Sequence, residues 1–130
     1  MYRNGKKGRF VFTVGKYDVT TGAAISANFI KGLNLLAAKG NTLYGLVGVP
    51  PHQNTVGKYD AINGTAISPR LVTGLKAPSA LAVSDNKIFV AEYLRDTVGE
   101  YNATTGAVIN PRFITGTMMY PIGIAIKRTK

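Results

Sequence analysis

Three copies of a nine-residue stretch decide the fold of this chain: VGKYDVTTG at 14–22, VGKYDAING at 56–64 and VGEYNATTG at 98–106. The copies begin 42 residues apart, with no drift between them. In each copy an apolar segment runs into a polar turn that ends in glycine. The first turn residue, Asp or Asn, can accept hydrogen bonds from backbone amides two residues further on, and glycine supplies a positive-φ position. The sequence therefore predicts three β-hairpin turns.

The segment after each turn has apolar residues at alternating positions, as in Ile67, Pro69 and Leu71, which predicts a strand with one apolar face. Proline removes a backbone donor, so this proline, repeated in the third copy, predicts a strand at a sheet edge. Two further apolar segments follow, and their best copies are PSALAVS at 78–84 and KIFVAEY at 87–93. Small and branched residues alternate in the first of these, which is typical of a strand crowded near an axis.

Four short strands in each 42-residue period predict an all-β fold of β-propeller-type four-stranded blades, about three per chain. A β-sandwich is the competing interpretation. Strict self-similarity favours blades, because the strands of a sandwich occupy unlike environments. The whole chain is read as a single repeat domain. Its expected divisions are a partial blade at 1–33, blades at 34–75 and 76–117, and the start of a further blade at 118–130.

The apolar segments also carry a family resemblance. The runs PSALAV at 78–83, NKIFVAE at 86–92 and TVGEYN at 97–102 resemble the NHL-repeat class of β-propellers. The resemblance implies four-stranded blades around a central channel. Members of that class range over RNA-binding modules, protein-binding scaffolds, lyases and sugar-acting enzymes, so the resemblance leaves the function open.

The predicted strand count leaves the ring of blades open. Labelled A to D outward from the axis, the strands read C-D, A-B-C-D, A-B-C-D, A, and propellers close with about four to eight blades. One chain is therefore not expected to close a ring, and unpaired edges attract further strands. We expect self-association, either as a dimer that closes a six-bladed ring or as a head-to-tail assembly. The third alternative is a piece cut from a longer repeat protein.

The formal net charge is +10, from 16 basic and 6 acidic residues, so nucleic acid or another polyanion is a candidate partner. Much of the excess charge lies near the two ends of the sequence. Arg70 and Arg112 occupy equivalent positions on two outer strands and are the expected anion-facing pair. The full set of candidate anion-binding residues is Lys16, Lys58, Arg70, Arg112, Lys127 and Arg128.

One tyrosine recurs in every copy, beside a lysine in the first two. Such a tyrosine can stack nucleic-acid bases or pack between blades, and the sequence favours packing. The fifteen glycines are all interpreted as turn residues. The residues that define the repeat are the tyrosine and the turn glycine of each copy: Tyr17, Tyr59, Tyr101, Gly22, Gly64 and Gly106.

The sequence predicts no catalytic residue, no metal site and no cofactor. It contains no cysteine, which excludes disulfides, thiolate catalysis and cysteine zinc sites. His52, the one histidine, is interpreted as an exposed loop residue. Glu92 ends the second strand of a blade, where the NHL resemblance implies that an acid is common, and it could bind a metal or act as a base. The earlier repeat has no equivalent carboxylate, so a structural role for Glu92 is favoured.

The sequence contains no signal peptide and no apolar run long enough to span a bilayer, so no membrane partner is predicted and no compartment is assigned. The prediction is a non-catalytic repeat module that acts as a binding or self-assembling scaffold. One alternative is a basic NHL-like module that binds RNA or another polyanion. A second alternative is part of a propeller lyase-type enzyme.

Overall fold

A computed structural model describes residues 13–47 and 54–116, which form ten strands and no helix. The all-β prediction is confirmed, and no helix in these ranges could cross a membrane. The strands are β1 Thr13–Tyr17, β2 Ala24–Lys31, β3 Leu33–Lys39, β4 Thr42–Val47, β5 Val56–Asp60, β6 Ala66–Val72, β7 Pro78–Ser84, β8 Lys87–Glu92, β9 Thr97–Asn102 and β10 Val108–Thr115.

The strands form three antiparallel sheets in which strands that follow each other in sequence are paired. Strands β1 and β2 form a two-stranded sheet, β3 to β6 a four-stranded sheet, and β7 to β10 a second four-stranded sheet. Pro69 and Pro111 lie on β6 and β10, the outermost strands of their sheets, so the edge-strand prediction is confirmed. The further strand predicted at 121–126 lies outside the described residues.

The three predicted hairpin turns are confirmed and share one set of hydrogen bonds. In the second copy, the Asp60 carboxylate accepts from the amides of Ile62 at 2.7 Å and Asn63 at 3.1 Å. The amide of Gly64, where φ is +78°, donates to the Asp60 carbonyl at 2.8 Å. The equivalent bonds recur at 18–22 and 102–106. Asn102 accepts them as the aspartates do, so the charge is not required for the turn.

The interpretation of every glycine as a turn residue is wrong. Gly99 lies inside β9, and Gly15 and Gly57 lie at the equivalent places in β1 and β5. A Cβ atom built on Gly99 would lie 2.7 Å from the hydroxyl oxygen of Tyr101, and the other two glycines meet the tyrosine two residues later in the same way. The ring folds back over its own strand, so the glycine provides the space that the ring fills.

The alternation expected on the fourth strand of each sheet does not give one buried face. On β6, Ile67 is 54 % exposed, whereas Leu71, four residues later and of the same parity, is half-buried and packs against the core. The register between β5 and β6 shifts twice, and the pairings of β1 with β2 and β9 with β10 shift in the same way. Such bulges reset the two-residue period, so residues that share a parity in sequence do not share a face.

The main core lies between the two four-stranded sheets. Tyr44 donates a 3.4 Å hydrogen bond across this interface to the Ala103 carbonyl oxygen, and strand β3 contacts β7. Burial of each Val, Leu or Ile side chain stabilises the fold by about 1.5–3 kcal/mol. The buried members of this cluster are Tyr44, Leu46, Val56, Val72, Leu75, Ile88, Val90, Tyr101 and Ala103.

Strand β8 is buried on both of its faces. Its even-numbered residues Ile88 and Val90 belong to the core between the sheets, whereas Phe89 and Ala91 belong to a second cluster with Ala80 and Val98. The Phe89 ring also packs against Phe113 on β10, with ring centroids 5.2 Å apart. The last residue of β8, Glu92, is buried as well, although it is charged.

Candidate functional site

A cleft of about 400 Å3 opens at the edge of the last sheet, lined by Arg95, Thr97, Pro111 and Arg112. The first two lining residues lie at the β8–β9 connection and the start of β9, and the last two lie on β10. Between the pairs Asn110–Glu100 and Ile114–Val98, β10 has two more residues than β9. This irregular stretch contains Pro111 and Arg112, and it takes them out of the regular ladder. Bulges of this kind re-aim side chains at the rims of sheets.

A buried carboxylate holds one of the two arginines. Glu92 is 0 % exposed; its Oε1 accepts a 2.7 Å hydrogen bond from the Lys76 amide and lies 3.3 Å from Nη1 of Arg95. Among the described residues, the buried Glu92 Oε2 atom has no partner in hydrogen-bond geometry. A carboxylate removed from water is destabilising unless a charged partner and hydrogen bonds compensate. Glu92 therefore fixes the Arg95 guanidinium at the cleft.

The hydroxyl of Thr97 is the anomalous group of the cleft. Thr97 is 6 % exposed, and its buried Oγ1 atom has no hydrogen-bond partner in the part of the chain that the structure describes. Such groups are rare in folded proteins, and each lowers stability by about 1–3 kcal/mol. The equivalent residue of the preceding sheet, Thr55, is similarly buried but is not left without an interaction.

Tyr101 lies near the Glu92 carboxylate, inside the core. Burial raises the pKa of the Tyr101 hydroxyl, the negative charge of Glu92 raises it further, and Arg95 acts in the opposite direction. A phenol whose pKa is raised from its usual value of about 10 stays protonated at neutral pH. Tyr101 is therefore a structural residue here and not a base.

The structure separates the candidate anion-binding residues. The Nζ atom of Lys16 donates to the carbonyl oxygen of Ile62 at 2.9 Å and lies 4.8 Å from the centroid of the Phe29 ring. The Nζ atom of Lys58 lies 5.9 Å from the centroid of the Tyr44 ring. Both lysines therefore make contacts within the fold.

Arg70 and Arg112 are both exposed, but on the outer strands of different sheets, β6 and β10. Arg112 lines the cleft and Arg70 does not. Lys127, Arg128 and His52 lie outside the described residues. Binding of RNA or another polyanion stays a prediction.

Sequence reasoning missed Arg95 and Thr97 as site residues. The signal that could have found them is the β9–β10 hairpin, because its pairing of Thr97 with Thr115 brings the start of β9 close to the end of β10. Arg112 precedes that end by three residues. A basic residue just before β9 and one near the end of β10 therefore meet at the same edge of the sheet.

Within residues 13–47 and 54–116, no three His, Cys, Asp or Glu side chains lie close enough together to hold a metal ion. The carboxylate of Glu92 is already held by the Lys76 amide and Arg95. Val47 pairs with Thr55 where Glu92 pairs with Thr97, so the preceding sheet has no acid at this place. These contacts are those of a structural ion pair.

A scan against models of known protein families gave no match to this chain, and a search among curated proteins gave no relative. The similarity to NHL repeats therefore stays a prediction from the sequence motifs. Function is inferred from the chain's own side chains and from the way its sheets contact one another.

Proposed function

We propose that this chain is a non-catalytic repeat module, built of propeller-type blades similar to NHL repeats, that assembles with further copies of itself. The 42-residue period and the sequential A-B-C-D order of the two four-stranded sheets support blades. The contact between β3 and β7, the first strands of those sheets, also supports them, because the first strands of neighbouring blades converge on a common axis.

The contact between consecutive sheets is the same contact made twice. A Cβ atom built on Gly64 would lie 3.0 Å from the Phe29 carbonyl oxygen, and one built on Gly106 would overlap with the Leu71 carbonyl oxygen. Gly64 and Gly106 are 42 residues apart, and so are Phe29 and Leu71. The second and third hairpin turns therefore pack directly on the outer strand of the sheet before them, and glycine permits this close approach.

The observation that carries the proposal is that both halves of this contact recur at opposite ends of the stack without a partner among residues 13–47 and 54–116. In those ranges no atom lies within 4 Å of the Cβ position at Gly22. On β10, Phe113 is the equivalent of Phe29 and Leu71, and it is 47 % exposed. A turn on one copy and an outer strand on the next would form a head-to-tail interface, which gives a ring if the rotation closes and a filament if it does not.

The side chains around Phe113 suit such an interface. Val108, Ile109 and Ile114 on β10 are large apolar residues that are also exposed, and clustered exposed apolar residues mark interaction surfaces. The first turn offers the fully exposed side chain of Val19. Burying these groups between two copies provides a hydrophobic driving force for assembly.

The polar part of the contact differs at the end of the stack. The Nζ atom of Lys16 donates to the carbonyl oxygens of Ala61 and Ile62, in the turn that packs on its sheet. At the next interface the Tyr44 hydroxyl donates to the carbonyl oxygen of Ala103, the equivalent of Ala61. On β9, Glu100 takes the place that Lys16 and Lys58 have on β1 and β5, and its Oε2 atom lies 3.1 Å from Nζ of Lys87. We expect Lys87 to donate to the carbonyls of the incoming turn, so that this interface uses an ion pair in place of a single lysine.

Light scattering on the purified chain across a concentration series tests the proposal. We expect a mass several times 13.9 kDa for the unmodified chain, and a shift toward the monomer for Gly22→Ala. The matched control is Gly40→Ala, because φ is positive at both glycines and neither has an atom within 4 Å of its Cβ position. The two substitutions therefore cause similar backbone strain, and Gly22 alone of the two belongs to the proposed contact.

Two results would contradict the proposal. A compact monomer at every concentration would mean that the exposed turn and strand do not bind another copy, as expected for a piece of a longer repeat protein whose remaining repeats cover these faces. Loss of assembly in both glycine variants to the same extent would mean that the turn at 18–22 is not the contact.

A further inference from the structure

We propose that the cleft lined by Arg95, Thr97, Pro111 and Arg112 binds a small organic molecule through one oxyanion group, a phosphate or a carboxylate. The two guanidinium groups supply the positive charge, and the Thr97 hydroxyl supplies a hydrogen bond. Pro111 and Arg112 lie on β10, the strand that the proposed assembly also uses. The equivalent Pro69 and Arg70 on β6 stay exposed although Leu71 of that strand contacts the next turn, so we expect the cleft to stay open in the assembly.

The charge balance of the cleft favours an anion. Arg95 is compensated by Glu92, whose carboxylate lies 3.3 Å away. Among the described residues, no ion pair involves Arg112. The lining residues of the cleft therefore carry about one unit of positive charge that these ion pairs do not neutralise, and Asp96, which lies between Arg95 and Thr97 in sequence, is not one of the lining residues. Arginine presents paired donors in a fixed plane, and this geometry suits carboxylate and phosphate oxygens.

Two features restrict the Arg95 side chain and the backbone at Arg112 before a ligand arrives. The side chain of Arg95 is 44 % exposed but is held by a carboxylate that is fully buried. The backbone amide of Arg112 donates to the Asn110 side chain at 3.1 Å, within the irregular stretch of β10. Binding is stronger when fewer degrees of freedom are lost on association. The cleft is therefore a partly preorganised site.

The unpartnered hydroxyl of Thr97 is an independent indication of a ligand. A buried hydroxyl forms hydrogen bonds in nearly every folded protein, and here none is made within the described residues. Thr97 lines the cleft, so a rotation of its side chain would turn the hydroxyl toward a ligand oxygen, which would then accept this hydrogen bond. The stability that Thr97 loses in the free protein would then be recovered on binding.

The size of the cleft selects the class of ligand. Its volume of about 400 Å3 lies in the lower part of the range of small-molecule sites, and a bare inorganic anion would leave much of it empty. The ring of Pro111 offers an apolar contact to the body of the ligand. A polyanion would instead need a track of cations, and Lys16 and Lys58 make contacts within the fold.

The preceding sheet provides a matched control for three of the four lining residues. Arg70 and Pro69 occupy on β6 the places of Arg112 and Pro111, and Thr55 occupies the place of Thr97. That sheet has Val47 in place of Glu92, so no buried acid holds an arginine there. Loss of Arg70 therefore removes the same charge from an equivalent strand without changing the cleft.

The test is a calorimetric titration of the full chain with phenyl phosphate, benzoate and inorganic phosphate, and with benzyl alcohol as the neutral probe. We expect phenyl phosphate or benzoate to bind more tightly than inorganic phosphate, and benzyl alcohol not to bind. The tighter of the two organic anions identifies the oxyanion. A hydrogen bond to a charged group contributes about 1.5–3 kcal/mol, so Arg112→Gln should weaken binding about tenfold or more. Arg70→Gln should change the dissociation constant less than twofold, and Thr97→Val should weaken binding about fivefold.

Three results would overturn the proposal. In the first, neither organic anion binds the unmodified chain. In the second, Arg70→Gln weakens binding as much as Arg112→Gln does, which would mean attraction by net charge without a defined site. In the third, Thr97→Val binds as well as the unmodified chain, which would remove the hydroxyl from the site. Arg112 is exposed and its substitution should not unfold the protein, and matching urea midpoints of the two arginine variants check this.

Discussion

Replacement of Thr97 by valine should stabilise the free protein, although it removes a polar side chain from a repeated position. The hydroxyl is buried and has no hydrogen-bond partner within residues 13–47 and 54–116, so the folded state loses the hydrogen bonds that water makes to this group in the unfolded chain. That loss amounts to about 1–3 kcal/mol. Valine has nearly the same shape and fills the same space without this penalty. We expect the free energy of unfolding to rise by about 1 kcal/mol, after allowance for imperfect packing.

The measurement is urea unfolding followed by circular dichroism, with the slope of the transition compared between variants. An unchanged slope with a higher midpoint means a gain in stability and not a more compact unfolded state. Thr55→Val is the control, since Thr55 is buried to a similar extent but does have an interaction. We expect that variant to lose about 1 kcal/mol, the usual contribution of a hydrogen bond.

The opposite signs of the two changes are the critical result. If Thr97→Val is destabilised as much as Thr55→Val, then the Thr97 hydroxyl is satisfied in solution and the reasoning about the cleft fails. If Thr97→Val is stabilised in the free protein but binds oxyanions more weakly, the hydroxyl is retained for binding at the expense of stability. Trade-offs of this kind are typical of functional sites.

Three further outcomes are expected. Gly99→Ala should lower the free energy of unfolding by about 1–3 kcal/mol through overpacking, because the new Cβ meets the Tyr101 ring. Urea unfolding measures this loss, which should be much smaller in a Tyr101→Ala background. Equal losses in both backgrounds would contradict the contact. Glu92→Gln should lower the free energy of unfolding by about 2 kcal/mol. This is less than the loss for a fully buried ion pair, because the Arg95 side chain is 44 % exposed and solvent screens its charge. An unchanged urea midpoint would show that the ion pair is not made. Burial raises the pKa of Tyr44, Tyr59 and Tyr101, so the stability that these phenols contribute is fully present below about pH 10 and is lost as the pH rises through their folded-state pKa values. Absorbance titration at 295 nm should show phenols that ionise late and together with unfolding. Complete ionisation of all phenols near pH 10 without unfolding would contradict this.

Local chemistry explains why the turns could be predicted from the sequence. In the turn from Asp60 to Gly64, every hydrogen bond that matters lies within six residues, and glycine meets the need for a positive φ. Pro69 likewise has one direct consequence, a missing donor, which places its strand at an edge. The order of strands then follows from the repeat, because short turns pair consecutive strands.

The expected pair of arginines shows where sequence reasoning stopped. Arg70 and Arg112 occupy equivalent positions in two repeats, and this equivalence suggested a common role. In stacked sheets, however, equivalent residues point in the same direction from different sheets, so the repeat separates them. Arg112 instead shares the cleft with Arg95, which lies outside the repeated motif. Both outer strands have the same two extra residues in their pairing, so the cleft is set apart by Arg95 and the buried Glu92 beside it. The periodicity of the sequence does not reveal that ion pair.

The glycine beneath each tyrosine was missed for a related reason. Glycine within a strand usually signals a bulge or a close approach of another group, but the sequence does not say which group approaches. Here it is the side chain two residues later on the same strand, as with Gly99 and Tyr101. The motif V-G-x-Y is thus one packing unit, and its two defining residues have to change together.

The hairpin turn that packs on the outer strand of the previous sheet has a consequence for the design of longer proteins. This contact joins residues that are a fixed number of positions apart, Phe29 with Gly64 and Leu71 with Gly106. Duplicating one complete period within the chain would create a new contact of the same kind and leave the existing ones intact. An insertion of any other length between a strand and its turn would break the match. Copy number is therefore a property that the protein can gain or lose in whole units, through unequal recombination or in the laboratory, without redesign of any interface.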